Sequence, residues 1–116
     1  MEHSFEIQHR GDHLWVSQRG CLPTVAAARA MQQQIEHEVQ TTGCRLAVFD
    51  NRQTEPSPPA VRDTMFEWAL GDTFLRVAVL LDGEMTAVRA NMQALASGGA
   101  LKAFADVDAA RSWVTR

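Results

Sequence analysis

The chain has 116 residues, a formal net charge of −3, 46% hydrophobic residues and 22% charged residues, the balance of an ordinary folded domain. That length predicts one domain over 1–116, with room for a single core. No basic stripe, no apolar run near the ~18–20 residues of a bilayer span and no secretory start at Met1-Glu2-His3-Ser4 is visible, so the expectation is a cytoplasmic protein without nucleic-acid partners or a transmembrane segment.

Ser4–His9 alternates apolar and polar residues, Gly11-Asp12 offers a two-residue turn, and His13–Gln18 alternates again, which predicts a hairpin pairing Ile7 with Val16. A first helix starts with Thr24 as its cap. Ala27, Ala28, Met31, Ile35 and Val39 form its apolar stripe, Gln32, Gln33, Gln34, Glu36 and Glu38 its wet side, and Thr41-Thr42-Gly43 its end. Cys21 and Cys44 flank this helix, whose length of roughly 30 Å keeps them apart as free thiols. A third strand is predicted over Arg45–Asp50, followed by a polar, proline-containing loop, Asn51–Pro56.

Ser57 is read as the cap of a second helix with Pro58 in its first position; Val61, Met65, Trp68 and Ala69 form one side, broadened by Phe66 and Leu70. After Gly71-Asp72 comes Phe74–Leu81, apolar enough for a central strand. Asp82 is the predicted cap of a third helix with the stripe Met85, Val88, Met92 and Leu95, closed by Gly98-Gly99. Leu101–Ala105 reads as a fifth strand, and Asp106 caps a last helix carrying Val107, Ala110, Trp113 and Val114.

The order β-β-α-β-α-β-α-β-α predicts an α/β fold with a mixed, mostly parallel five-stranded sheet. Parity supports helices mainly on one face. Glu6, Arg45, Arg76 and Lys102 make one face semi-polar, whereas Ile7, Leu46, Val48, Val77, Val79, Leu101 and Ala103 make the other apolar. Trp15, on the semi-polar side, either covers the sheet or marks a subunit contact.

No catalytic motif is present, neither a nucleophile elbow nor a phosphate-cradling glycine loop, and a non-enzymatic chain without cofactor is expected. His3, His9 and His13 cluster around the hairpin but read as turn residues rather than metal ligands. Asp50, at the end of a parallel strand, can anchor a ligand with Asn51 and Arg52 or fasten the loop backbone. Met65, Phe66, Trp68, Met85, Val88 and Met92 would line any gap between the second and third helices, and such adaptable side chains suit a small apolar ligand or a protein partner. The candidate binding residues are therefore Asp50, Arg52, Met65, Trp68, Val88 and Met92. Homodimerisation and peripheral membrane contact stay open.

The opening hairpin, the strand Leu46-Ala47-Val48-Phe49-Asp50, the strand Arg76-Val77-Ala78-Val79-Leu80, the helical Arg89-Ala90-Asn91 and the ending from Lys102-Ala103-Phe104 through Asp108-Ala109-Ala110-Arg111-Ser112-Trp113-Val114 carry a family resemblance. Together they resemble the STAS-like proteins of the SpoIIAA-like group, whose relatives include anti-sigma-factor antagonists. The resemblance implies a regulatory, partner-binding module or, through the related CRAL-TRIO domains, a carrier of hydrophobic ligands. Phosphorylatable antagonists place a hydroxyl directly after the strand aspartate. Here Asn51-Arg52-Gln53 follows Asp50, which leaves Thr54 and Ser57 as the nearest sites for a phosphate.

Overall fold

The computed structural model describes residues 2–94 and 99–116. Its elements run β1 (Ser4–Arg10), β2 (His13–Gly20), α1 (Val25–Thr42), β3 (Leu46–Thr54), α2 (Pro59–Ala69), β4 (Arg76–Leu80), α3 (Glu84–Ala94), β5 (Leu101–Phe104) and α4 (Val107–Val114). The strands lie side by side in the order β1-β2-β3-β4-β5, as the element pattern predicts. β1 and β2 pair antiparallel with Ile7 opposite Val16, and the remaining pairs are parallel.

Helices cover both faces, unequally. Leu14, Val16, Ala47, Phe49, Val77 and Leu101 look toward Ala28, Met31, Ile35 and Val39 of α1 and Val61 of α2 in the larger core. Trp15, Val48, Ala78 and Leu80 form a second core with Ala110 and Val114 of α4. Each fully buried Leu, Ile, Val or Met contributes roughly 1.5–3 kcal/mol. Trp15, at 4% exposure, is therefore core, and Arg10 lies 4.2 Å from its ring centroid.

The face assignment of β3 corrects the sequence reading. Leu46 stands opposite Arg76 and Val48 opposite Ala78, whereas Ala47 and Phe49 stand opposite Val77 and Val79. Leu46 and Val48 thus face α4, not the larger core. β3 is apolar on both faces, so alternation alone gave no register, and a one-residue slip exchanges the faces.

Caps explain most helix ends. Thr24 Oγ1 accepts the Ala27 N–H at 3.1 Å, Gly43 closes α1 at φ 70° with its N–H on the Val39 carbonyl, and Asp106 Oδ2 accepts the Ala109 N–H at 2.8 Å. Two expected caps fail. Pro58 stays extended (φ −54°, ψ 149°) and itself occupies the N-cap position, because a residue followed by proline is disfavoured in the helical region. Ser57 therefore lies one residue outside, and Pro59 begins α2. α3 opens at Glu84 after Gly83 at φ 96°, with the Ala87 N–H on the Gly83 carbonyl, which leaves Asp82 too early to cap.

Three further expectations shift. β4 is shorter than Phe74–Leu81 and β5 ends at Phe104. Gln32, expected on the wet side of α1, is buried and donates from Nε2 to the Thr64 carbonyl at 3.4 Å and to Met65 Sδ at 3.3 Å, because α2 packs over it. Leu95 and Gly98 lie outside the described residues. Cys21 and Cys44 are free thiols, and among the described residues no helix is long and apolar enough to cross a membrane.

Candidate ligand-binding cleft

The predicted stripe of α3 faces outward. Met85 is 68% exposed, Val88 50% and Met92 69%. The buried side is small and polar instead. Ala87 packs inward, and Asn91 bonds twice to the edge strand, donating from Nδ2 to the Ala103 carbonyl at 2.9 Å and accepting the Ala103 N–H on Oδ1 at 2.6 Å. A strand edge leaves backbone groups that must find partners, and this asparagine supplies both. Sequence periodicity selects large apolar residues, so a docking face built from alanine and asparagine escapes it.

Because α3 turns small residues toward α2, a gap remains between them. α2 leans on α1, where Gln32 meets Met65 and Trp68 Nε1 donates to Glu36 Oε1 at 2.7 Å. Trp68 also meets Phe74 edge-on at 5.3 Å and Phe49 at 6.2 Å, fixing the ring against the sheet. The gap is a cleft of about 620 Å³, within the range of small-molecule sites. Phe49, Val77, Val79 and Leu101 floor it, Met65, Phe66 and Trp68 wall it on one side, and Thr86 and Ala90 border it on the other.

The mouth is built by β3. The structure carries this strand through Thr54, four residues beyond the expected end at Asp50 and into the predicted loop. Past the last β3–β4 pair, Asp50 with Leu80, it pairs only with β2, through Arg19–Gln53 and Gly20–Thr54. Between those pairs and Ser17–Asp50 the register shifts, so Asn51 and Arg52 together stand opposite Gln18. Such a bulge re-aims side chains, and Asn51, Arg52 and Thr54 all border the cleft. The polar composition that reads as a loop is here a bulged strand rimming a cavity.

Hydrogen bonds organise the rim. Gln18, 8% exposed, accepts from His3 Nε2 at 3.0 Å and donates to Asn51 Oδ1 at 2.6 Å. The Thr54 hydroxyl donates to the Asn51 carbonyl at 2.8 Å. Arg52 binds Asp50 in a fork, Nε and Nη2 each 2.8 Å from a carboxylate oxygen, and this pair holds the Asp50 carboxyl below its ordinary range against the opposing effect of burial. The histidines are dispersed: His3 is on Gln18, His9 is exposed, and buried His13 has Nδ1 2.9 Å from Asp12 Oδ1.

Of the residues singled out from sequence, Arg52, Met65 and Trp68 border the cleft together with Thr54 and Ser57. Asp50 stands outside it as the partner of Arg52, and Val88 and Met92 lie on the outer surface of α3. Asn51, read from sequence as a ligand anchor with Asp50 and Arg52, also borders the cleft, as do Gln18 and Arg62, which carry no periodic or motif signal. Only the bulge and the extension of β3 bring the first two there.

No protein-family model and no curated protein sequence matches the chain. Solved structures do resemble it. An uncharacterized protein of the DUF3478 family with a SpoIIAA-like fold, from Shewanella loihica PV-4, superposes with a TM-score of 0.71 at 19% identity, over 97% of this chain and 93% of that one. An anti-sigma factor antagonist from Mycobacterium paratuberculosis gives 0.68 at 17% identity, over 99% and 96%. The anti-sigma factor antagonist SpoIIAA in its unphosphorylated form gives 0.60 at 13% identity, over 96% and 97%. Near-complete coverage in both directions, with the sequential β1-β2-β3-β4-β5 sheet, gives this chain a SpoIIAA-like fold.

Proposed function

We propose that the chain is a non-enzymatic STAS-like module that binds a small apolar ligand in the cleft between α2 and α3. The observation that carries this reading is the cleft itself, about 620 Å³ floored by Phe49, Val77, Val79 and Leu101. Closed packing at this position would have favoured protein contacts alone. Apolar walls supply affinity and the polar rim supplies orientation, the usual division of labour in small-molecule sites. Met65 and Trp68 are the principal wall contacts in this reading, with Arg52 at the rim.

Native mass spectrometry of protein purified without additives, together with titration of fatty acids followed by the Trp68 indole resonance, tests the proposal. A bound small molecule, or a saturable shift of that resonance, is expected. No co-purified mass and no response to any added acyl chain refutes it.

A second reading follows from the outer face of α3. Met85, Val88 and Met92 are exposed there, with Phe66 exposed on α2, a surface able to take a protein partner in a regulatory module. The similarity to anti-sigma factor antagonist structures supports this reading at the level of fold. Charge substitutions at Val88 and Met92 that leave interactions in the source cell unchanged count against it. Thr54 and Ser57, both half-buried at the rim, are the hydroxyls on which phosphorylation would alter either activity.

A further inference from the structure

The cleft is chemically uneven along its length. Trp68 and Ala69, at the C-terminal end of α2, and Val77 and Leu101, at the starts of β4 and β5, border one end. Val77 and Leu101 stand level with Ala47 of β3, and Asn51 lies roughly 13 Å further along that strand at about 3.3 Å per residue. The polar groups gather at this second end, so the site has a dry end and a wet one, a short alkyl chain apart.

The wet end has a charge balance of its own. Arg52 is occupied by the fork to Asp50, and Asp82, which also borders the cleft, adds to the field that holds the Arg52 proton. Glu55 has an interaction of its own. Arg62, on the first turns of α2, borders the cleft and forms no ion pair among the described residues. Gln18 takes the amide oxygen of Asn51, which leaves the Asn51 Nδ2 donors for another group, and Ser57 borders the cleft as well. One unpaired guanidinium with neutral donors suits a monoanion. A planar carboxylate accepts two parallel bonds from such a fork, while a doubly charged head would meet Asp82 without a second unengaged guanidinium among the described residues that border the cleft.

We infer that the cleft takes a single-chain amphiphile with a carboxylate head, its tail along Trp68, Val77 and Leu101 and its head at Arg62, Asn51 and Ser57. The inference rests on the apolar-ligand reading and names the ligand class. Calorimetric titration of the whole chain with decanoate, decanol, decylamine and decyl phosphate, each below its micelle concentration, tests it, using the wild type, Arg62→Gln and Arg62→Lys. Wild type should bind decanoate about tenfold more tightly than decanol, the scale of one hydrogen bond to a charged group. Arg62→Gln should erase that preference without weakening decanol binding, and Arg62→Lys should restore part of it. Equal binding of decanoate and decanol, a preference for decylamine or decyl phosphate, or no effect of Arg62→Gln overturns the head assignment while the cleft reading stands. If none of the four binds, both fall.

Discussion

Asn91 offers the sharpest test of how α3 is held. Its carboxamide satisfies both the N–H and the C=O of Ala103 on the open edge of β5, at 2.6 and 2.9 Å, and Ala103 is 3% exposed. Replacing Asn91 by Ala costs about 1–2 kcal/mol for each of the two hydrogen bonds, between the net worth of a bond whose freed group water reaches and the penalty of a group left partly dry. The sum is a loss of about 2–4 kcal/mol, a large share of an ordinary domain's stability, or a melting temperature lower by roughly 10 °C. Asn91→Asp is more discriminating, because the introduced carboxylate still accepts the Ala103 N–H but sets a lone pair against the Ala103 carbonyl. Only the protonated acid donates there, so the bonding raises that carboxyl's folded pKa above its unfolded value. The defect should therefore be full at neutral pH and shrink as pH falls through the raised pKa. Urea unfolding at pH 7 and pH 4, with hydrogen exchange at the Ala103 amide, measures both effects. An unchanged midpoint and unchanged protection in Asn91→Ala would show that α3 docks by other means.

The Asp50–Arg52 pair predicts a second pH dependence. Asp50 has a lowered folded pKa, so its contribution is present above the unfolded value near 3.9 and is lost as pH falls through the folded pKa. Asp50→Asn should cost at most about 1 kcal/mol at pH 7, given the exposure of Arg52, and flatten this part of the acid limb in urea titrations. On the opposite face, Ala110 and Ala78 are fully buried where α4 meets the sheet. Ala110→Leu should overpack this contact and destabilise by about 1–3 kcal/mol, with Trp113 and Val114 resonances reporting the displacement of α4.

The fold was legible because its signals are local and mutually consistent. Gly11 turns the hairpin, Thr24 and Asp106 cap where expected, and the single apolar run at Arg76–Leu80 marks a strand covered on both sides. The cleft was only partly legible. Met65 and Trp68 were found because α2 follows ordinary helical patterning, whereas α3 inverts it, exposing its large residues and docking through Ala87 and Asn91. Asn51 reads as a loop residue by composition, and its place at the rim depends on a bulge defined by pairing with β2, a long-range event. Ser57 was misread because Pro58 is itself followed by a proline, which moves the start of α2 by one residue.

The strand order carries a consequence for how the chain forms. Because β1 through β5 are laid down beside one another in the order of synthesis, no strand has to be threaded between two that are already paired. Each new strand leaving the ribosome meets an edge whose inner neighbour is in place, and the loop it closes is only one helix long, which keeps the entropic cost of each addition low. Folding can thus advance from the hairpin toward β5 as a growing front. The last edge is closed by Asn91, a side chain from the helix emerging just before β5, so the strand that ends the sheet finds its backbone partner already waiting.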